Sequence, residues 1–409
     1  MNVVPNENRL VVKPVENDDE LCGAVDMIAK TFTMDYFTAT RWIQSRGAGY
    51  PGHRREHTRI ALWNGEPAGA LRINSETIRI GEARLKMGGL GWVTTIPRHR
   101  NKGVASALVQ DALEYMARHN YHVSMLFGIP NFYHRFGFTT TLAEHNAVIE
   151  TGEAFAAEKK GLRVRQAKPG DISAIQKIHA ASDTATTCSL LRSSAHITSQ
   201  WEQWKGVRVL TNGQGRVVGY FHGVRDADCY AVKEAGVADP SVAGDLLHAC
   251  ARLAGDEALA QIRFHAPPTH ALARFLLQYK SIHEMHILGI PYGMMAFVNL
   301  GETLESLIPE WENLLAQSSL RDLRVEATLL VDNDAYRIRA NKGAVDVAQA
   351  AGPNKISLSP SNLAHLVTGY RYPEDILDEK RRMLTPEARI LIETIFPKRH
   401  PYVWLLDRF

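Results

Sequence analysis

The stretch Gly88-Gly-Leu-Gly-Trp-Val-Thr-Thr-Ile-Pro97, continued by Arg98-His-Arg-Asn-Lys-Gly-Val-Ala105, decides how this 409-residue chain is read. The first ten residues are apolar and glycine-marked and read as a strand. The next eight form a basic turn with a single glycine. An amphipathic helix follows over Gly103 to His119. Its residues Val104, Ala105, Leu108, Val109, Ala112, Leu113 and Met116 share one face, and Gln110, Asp111, Glu114 and Arg118 share the other. Asn120 suits a left-handed helix end. A second apolar run, His122 to Phe127, leads into Asn131-Phe-Tyr-His-Arg-Phe-Gly-Phe138. A right-handed strand–helix–strand crossover would bring Tyr133 back beside the basic loop.

On the N-terminal side, Leu10 to Val15 reads as a strand and Glu20 to Phe32 as a helix, with Asp18 or Asp19 available as its cap. A helix near Thr38 to Ser45 comes next. Arg59 to Trp63 and Ala68 to Ile73 are strands joined by the hairpin signal Asn64-Gly65, and Thr77 to Lys86 reads as a further strand. The same order recurs roughly 150 residues later, which suggests a duplicated fold. Leu162 to Arg165 is a strand, Lys168 to Ala181 a helix, and Arg208 to Phe221 a strand, an Asn-Gly turn and a strand. The later helix of this copy, Val242 to Leu253, lacks a basic, glycine-marked loop, so cofactor binding is expected to be lost there. From about Asn299 the pattern changes to a helix (Glu302 to Leu315), a hairpin around Asp332-Asn333-Asp334, a strand (Lys355 to Leu358) and three helical segments. The expected division is 1–160, 161–298 and 299–409.

Composition bounds the function. The net charge of +3 is too mild to argue for nucleic acid. No long uncharged apolar run suggests a membrane span or secretion signal, so a cytoplasmic location is the expectation. The four cysteines, Cys22, Cys188, Cys229 and Cys250, are scattered without metal-ligand spacing, and no metal is expected. The seventeen histidines show no such spacing either.

The basic loop carries chemistry. Arg100-Asn101-Lys102-Gly103-Val104-Ala105 fits the pattern Arg/Gln-x-x-Gly-x-Gly/Ala. Successive backbone N–H groups at a helix start can wrap a pyrophosphate, with the helix dipole assisting. The plainer reading is a solvated basic turn. Tyr133 likewise reads either as a functional phenol or as an aromatic core residue among Phe132, Phe136 and Phe138.

Taken together, strand, loop, helix, strand and tyrosine resemble the GNAT superfamily of N-acetyltransferases. Val93 to Gly103, Phe132 to Phe138, the degenerate second copy, the third domain and the terminal phenylalanine are similar to the Eis-type (enhanced intracellular survival) members. The resemblance implies α/β and α+β architecture: tandem GNAT folds, each a mixed, twisted sheet flanked by helices, then a sterol-carrier-protein-like α+β domain. It implies acetyl-CoA as donor and direct acetyl transfer to an amine, including aminoglycosides, or to protein lysines, in a homohexamer. Val93, Thr94 and Thr95 would meet the pantetheine arm. Arg100, Asn101, Lys102, Gly103, Val104, Ala105 and Ser106 would hold the pyrophosphate, and Gly128 and Ile129 the thioester end. Tyr133 would be the general acid, and the α-carboxylate of Phe409 the base. A free α-carboxyl titrates near 3.5 and is a weak base. Asp35 would line the acceptor pocket. Arg408 stands where aminoglycoside-acetylating members carry an acid, and a pocket cation would disfavour a polycationic amine. A rival of another class is a non-catalytic acyl-CoA sensor that binds lipid or a partner.

Overall fold

The computed structural model describes residues 9–33, 51–287, 292–322, 324–378 and 384–409. Asp35 and the helix expected near Thr38 to Ser45 lie outside them. β1 (Leu10–Pro14) leads to α1 (Asp18–Thr31), capped by Asn17, whose side chain accepts the Glu20 N–H at 2.9 Å. The cap is thus one residue before the expected aspartates. β2 (Thr58–Trp63) and β3 (Glu66–Ile80) meet in a tight hairpin, with φ positive at both Asn64 (52°) and Gly65 (85°).

β3 does not end at Ile73. It runs on to a turn at Gly81-Glu82, and β4 (Ala83–Thr95) returns beside it. The single strand expected over Thr77 to Lys86 is therefore two strand ends and a turn. Alternation alone could not show this, because both arms of a hairpin bury the same face. The turn is fixed by Glu310, whose Oε2 accepts the Glu82 N–H at 2.7 Å. α2 (Val104–Arg118), β5 (Val123–Gly128), β6 (Thr139–Leu142), β7 (Glu144–Glu150) and α3 (Thr151–Phe155) follow.

The second copy contains β8 (Arg163–Gln166), α4 (Ile172–Ser182), α5 (Ser194–Ser199), β9 (Arg208–Thr211), β10 (Val217–Asp226), β11 (Cys229–Val237), α6 (Ala243–Asp256), β12 (Gln261–His265), α7 (Ala271–Leu276), β13 (Ser281–His286) and β14 (Tyr292–Phe297). The two seven-stranded sheets have the same plan, β1-β2-β3-β4-β5-β14-β6 and β8-β9-β10-β11-β12-β7-β13. They exchange strands reciprocally. β14, late in the chain, pairs antiparallel with β5 and β6 of the first sheet, while β7 pairs antiparallel with β12 and β13 of the second. Sheet membership therefore crosses sequence position 160, while the strands beyond 298 all lie in the third sheet.

In the last part, α8 (Leu300–Ser306) and α9 (Ile308–Ala316) replace the one helix expected over Glu302 to Leu315. Pro309 has no N–H to donate and its ring crowds the carbonyl four residues back, which breaks the helix at Leu307. A four-stranded sheet, β17-β16-β15-β18, is built from β15 (Arg324–Val331), β16 (Asp334–Asn341), β17 (Ala344–Gln349) and β18 (Lys355–Leu358). With it go α10 (Pro360–Thr368), α11 (Pro373–Asp378) and α12 (Pro386–Ile395).

The first sheet is buried on both faces. Leu71, Ile73 and Leu90 pack against Leu108, Val109 and Met116 of α2. On the opposite face Ile78, Leu85, Met87 and Met125 share one core with Trp311, Leu329, Ile392 and Phe396 of the third domain. That second contact brings the chain's end to the first sheet.

Candidate active site

The site begins as a gap in the first sheet. β4 and β5 pair in parallel at Met87, Gly88 and Gly89 with Val123, Ser124 and Met125. Beyond Gly89 the two strands diverge. The cause lies on the other edge of β4: the register with β3 passes from Ala70↔Thr94 to Arg72↔Gly91, so one extra residue sits in β4 as a bulge. Trp92 within it has φ 59°. A bulge bends and twists its strand, which opens β4 away from β5. The Ile96 N–H donates to Ala68 O at 3.0 Å, across to β3. By alternation, the backbone groups of Thr95 and Val93 face the gap, where an extended amide-bearing chain could pair with them. Thr94 points its side chain into the core, where it is fully buried.

The helix start at the mouth of the gap is uncapped and could receive an anion. α2 begins after Asn101 (φ 61°) and Gly103 (φ 82°), and no side chain caps it. Uncapped first-turn N–H groups are donors in want of an acceptor. A methyl group placed on Gly103 would meet nothing within 4 Å, so the loop leaves open space there. Val104 is buried and anchors the helix, while Asn101, Lys102 and Gly103 are exposed. Lys102 Nζ lies 5.2 Å from the Trp63 ring centre, and Arg135 donates to Ser106 Oγ at 2.7 Å. Arg98, next to the loop, pairs with Glu66 at 2.9 Å. Arg100 completes the basic rim.

Tyr133 sits in a short 3₁₀ turn after β5 and is 8 % exposed. Its ring packs edge-on against Phe132 (4.8 Å between centres) and Phe138 (6.1 Å). It also lies directly over Gly128, where a methyl would stand 2.4 Å from its Cε2. Its hydroxyl makes no hydrogen bond with the described residues. Burial pushes the phenol up to about 12, so it stays protonated across the neutral range. Ile129, by contrast, is 55 % exposed at the end of β5.

Phe409 reaches the other face of the same gap. A methyl on Gly89 would stand 2.5 Å from Phe409 Cε2, and one on Gly91 would stand 3.2 Å from its carboxyl carbon. Asn74 Nδ2 donates to Gly89 O at 3.3 Å and is 3.1 Å from the same Gly91 position. The Phe127 ring lies 5.9 Å from the Phe409 ring. Side chains alternate along β4, so Gly88 and Leu90 face α2 while Gly89 and Gly91 face the terminus. Tyr133 and the carboxyl of Phe409 therefore flank the opening from opposite faces of the sheet.

Arg408 is not an unpaired cation. Its Nη2 lies 2.7 Å from Glu144 Oε1 and 2.8 Å from Oε2, and its guanidinium stacks 4.7 Å from the Phe127 ring centre. Sequence reasoning missed Glu144, Gly89, Gly91, Asn74 and Phe127. The alternate glycines of β4 were the available signal, since a strand omits two side chains on one face only where something must approach.

Residues 12–141 match the family model for the acetyltransferase (GNAT) domain. This part of the chain is a GNAT domain. No curated protein matches the sequence. Among solved structures, a GCN5-related N-acetyltransferase from Anabaena variabilis aligns over 98 % of this chain and 100 % of its own, at 16 % identity and TM-score 0.76. A protein of unknown function from Enterococcus faecalis, described as a probable N-acyltransferase, aligns over the same shares at 14 % identity and TM-score 0.77. Eis1 from Mycobacterium abscessus aligns over 98 % of this chain and 100 % of its own, at 14 % identity and TM-score 0.66. The whole chain thus shares the fold of these structures, and its two seven-stranded sheets follow one plan beside a third, four-stranded sheet. The basic loop, the bulged strand and Tyr133 all lie within the matched GNAT domain, whereas Phe409 lies outside it.

Proposed function

We propose that the protein transfers an acetyl group from acetyl-CoA directly to an amine, with both halves of the site described above taking part. The observation that carries this reading is the pair of groups flanking the β4–β5 gap, Tyr133 over Gly128 and the chain terminus over Gly89 and Gly91. The uncapped start of α2, with Arg100 to Ser106, would take the pyrophosphate. The gap-facing backbone of Val93 and Thr95 would pair with the pantetheine arm, which leaves the thioester beside Gly128.

Each residue then has a limited task. The amine nitrogen attacks the thioester carbon, the C–S bond breaks, and one proton leaves nitrogen as one is needed at sulfur. A carboxylate cannot deprotonate a free ammonium readily, because the two pKa values lie far apart. It can accept the proton once the N–C bond has formed and the nitrogen has become much more acidic. The Phe409 carboxylate would take the proton at that later step. A phenol near 12 faces a thiol near 8.5, so complete proton transfer to a free thiolate would be uphill by about 5 kcal/mol. Tyr133 is better suited to donate a hydrogen bond to sulfur as the C–S bond stretches, which stabilises the developing charge in a dry setting.

The acceptor class is an amine that tolerates or carries several charges. An unpaired Arg408 would repel a cation at 4 Å by about 4 kcal/mol at an effective dielectric of 20. Its close pairing with Glu144 removes most of that repulsion, which supports polycationic amines such as aminoglycosides as acceptors. A homohexamer and a sterol-carrier-like third domain rest on the resemblance alone, a cytoplasmic location rests on the sequence pattern, and all three belong to the same proposal. The test is thiol release from acetyl-CoA with a panel of amines, run on the native chain and on a chain extended by a few residues beyond Phe409. Turnover is expected only with the native end, at equal acetyl-CoA affinity. Binding of acetyl-CoA without thiol release from any amine would overturn the enzymatic reading.

A further inference from the structure

The second copy keeps the geometry of an acyl-CoA cleft and fills it. β11 and β12 pair in parallel from Cys229↔Gln261 to Val232↔Phe264. At the next residue β11 carries a bulge, since the register with β10 passes from Gly223↔Val232 to His222↔Glu234. This is the arrangement that opens β4 from β5 in the first copy. The outer end of the second cleft is closed. The N-terminal turn of α6 bears Asp245, whose carboxylate accepts the N–H groups of Lys160, Gly161 and Leu162, each at 2.9 Å. A methyl on Gly244 would stand 1.9 Å from Glu158 O, so the connecting segment lies on that helix start where an anion would otherwise sit.

The chain's own C-terminal segment occupies the inner part. Tyr402 and Trp404 pack with Ala266, one residue past β12, and the turn Leu405–Asp407 contacts β11. Polar groups fasten this segment from both sides. Trp404 Nε1 donates to Asp183 Oδ1 at 2.8 Å, its ring lies 5.2 Å from that of His270, and the Tyr402 N–H donates to Thr187 O at 2.8 Å. Asp407, 1 % exposed, has Oδ1 3.3 Å from Arg192 Nη1 and 3.6 Å from His196 Nε2. Arg192 is itself held by Glu234, the residue after the bulge, at 2.7 and 3.1 Å. Tyr220 donates to Glu234 at 2.7 Å, and His179 lies 3.3 Å from the same oxygen. Burial acts to raise the Glu234 carboxyl, but Arg192 and then His179 outweigh it and hold the group ionised. One cation thus bridges a sheet carboxylate and a tail carboxylate in the dry interior of the second copy.

We infer that the degenerate second copy is a receptacle for the C-terminal tail, and that Arg192, Glu234 and Asp407 are positioning residues that set where the Phe409 carboxylate stands in the first copy's gap. Two residues separate the Asp407 clamp from the terminus, so an error at the clamp passes to the carboxylate with little room to be absorbed. The rate consequence rests on the reading of Phe409 as the base. The clamp itself does not.

The test is Asp407→Asn in the full-length protein. The change keeps the side chain's shape and leaves Arg192 paired with Glu234, so the second copy keeps its fold. Trp404→Phe, which keeps an aromatic ring but loses the donor to Asp183 together with part of the indole's packing, is the second variant. Two readouts are needed. The first is release of Phe409 by carboxypeptidase Y, which reports tail anchoring without any catalysis. The second is the steady-state pair kcat and acetyl-CoA KM. Asp407→Asn is expected to be trimmed about tenfold faster or more and to lose about 10- to 100-fold in kcat with KM unchanged, the size associated with a misplacement on the order of 1 Å. Trp404→Phe is expected to move both in the same direction by less. Trimming of the variants at the wild-type rate would overturn the receptacle. Faster trimming with an unchanged kcat, in a protein whose turnover is abolished by a C-terminal extension, would overturn the positioning role. If the extension too leaves turnover unchanged, the base reading fails and the rate half of this proposal falls with it.

Discussion

Gly89→Ala puts the proposed base under a defined strain. The added methyl would stand 2.5, 2.6 and 2.7 Å from three carbons of the Phe409 ring. Carbon pairs are comfortable at about 3.5–4.0 Å, so the ring must retreat by about 1 Å. β4 cannot give way, because Gly89 pairs with Asn74 on one side and Met125 on the other. The tail is fastened at Asp407 and again at Arg408 by Glu144, so the displacement falls mainly on Phe409. Overpacking of this kind costs about 1–3 kcal/mol of stability. The larger effect is expected in rate, because a misplacement on the order of 1 Å costs about 100-fold. Stopped-assay kcat should fall by that order while acetyl-CoA affinity changes little, since the methyl points away from the α2 face. The control is the double-mutant cycle with Phe409→Ala, which removes the ring but keeps a terminal carboxylate. The double variant should be faster than Gly89→Ala alone, with a coupling of about 0.5–3 kcal/mol. A wild-type kcat for Gly89→Ala, or strict additivity in the cycle, would refute the placement of Phe409 and with it the argument that the glycines of β4 exist to admit the terminus.

Tyr133→Phe should lower kcat by about 100-fold or more with acetyl-CoA binding preserved, and a near wild-type rate would return Tyr133 to aromatic packing alone. Acid should destabilise the fold before carboxylates titrate. Burial holds His57, His145 and His270 at about 4, against 6.5 when exposed, and all three are at most 4 % exposed. Their folded pKa values are depressed, so the stabilisation is complete above pH 6.5 and is lost as pH falls toward 4. Each group can contribute up to about 3 kcal/mol in order of magnitude. Tm followed by calorimetry from pH 7.5 to 4.5 should drop through this window, and a flat profile would show that these imidazoles are solvated or protonated in the folded protein.

The donor half of the site was legible because it is local. Strand, basic loop, helix, strand and Tyr133 lie within one continuous segment, and each has a pattern that its backbone geometry demands. The acceptor half is assembled from residues far apart in the chain. Alternation along β4 shows that Gly89 and Gly91 lack side chains on one face, but not that Phe409 fills the space. Arg408 could not be read without Glu144, which a sequence of separate domains would have assigned to the first copy and which lies in a strand of the second sheet. The strand exchange was hidden for the same reason. β7 and β14 occupy the same position in equivalent sheets, so their sequences satisfy the demands of either one. The broken helix at Pro309 and the turn at Gly81 carried residue-level signals, a proline and a glycine, that periodicity outweighed.

A base supplied by the end of the main chain is specified by length more than by residue type. From Asp407 the chain can span at most about 7 Å in its last two residues. Phe409→Ala therefore keeps the reacting group and loses only the ring that seats it against Gly89 and Phe127. One added residue between Asp407 and Arg408 instead displaces the carboxylate by about 3.5 Å and turns the last side chain to the opposite side. A point-substitution scan of the tail would register packing losses and pass over the proposed base. This also explains why the tail needs a rigid seat so near its end. The carboxylate has no side-chain rotamer of its own to be held by local packing. Its position is inherited from the residues just before it: Arg408, paired with Glu144, and Asp407, buried in the second copy against Arg192. On this reading the second copy has a physical role of its own: its sheet holds the Arg192–Glu234 clamp, and its exchanged strand β7 brings Glu144 to Arg408.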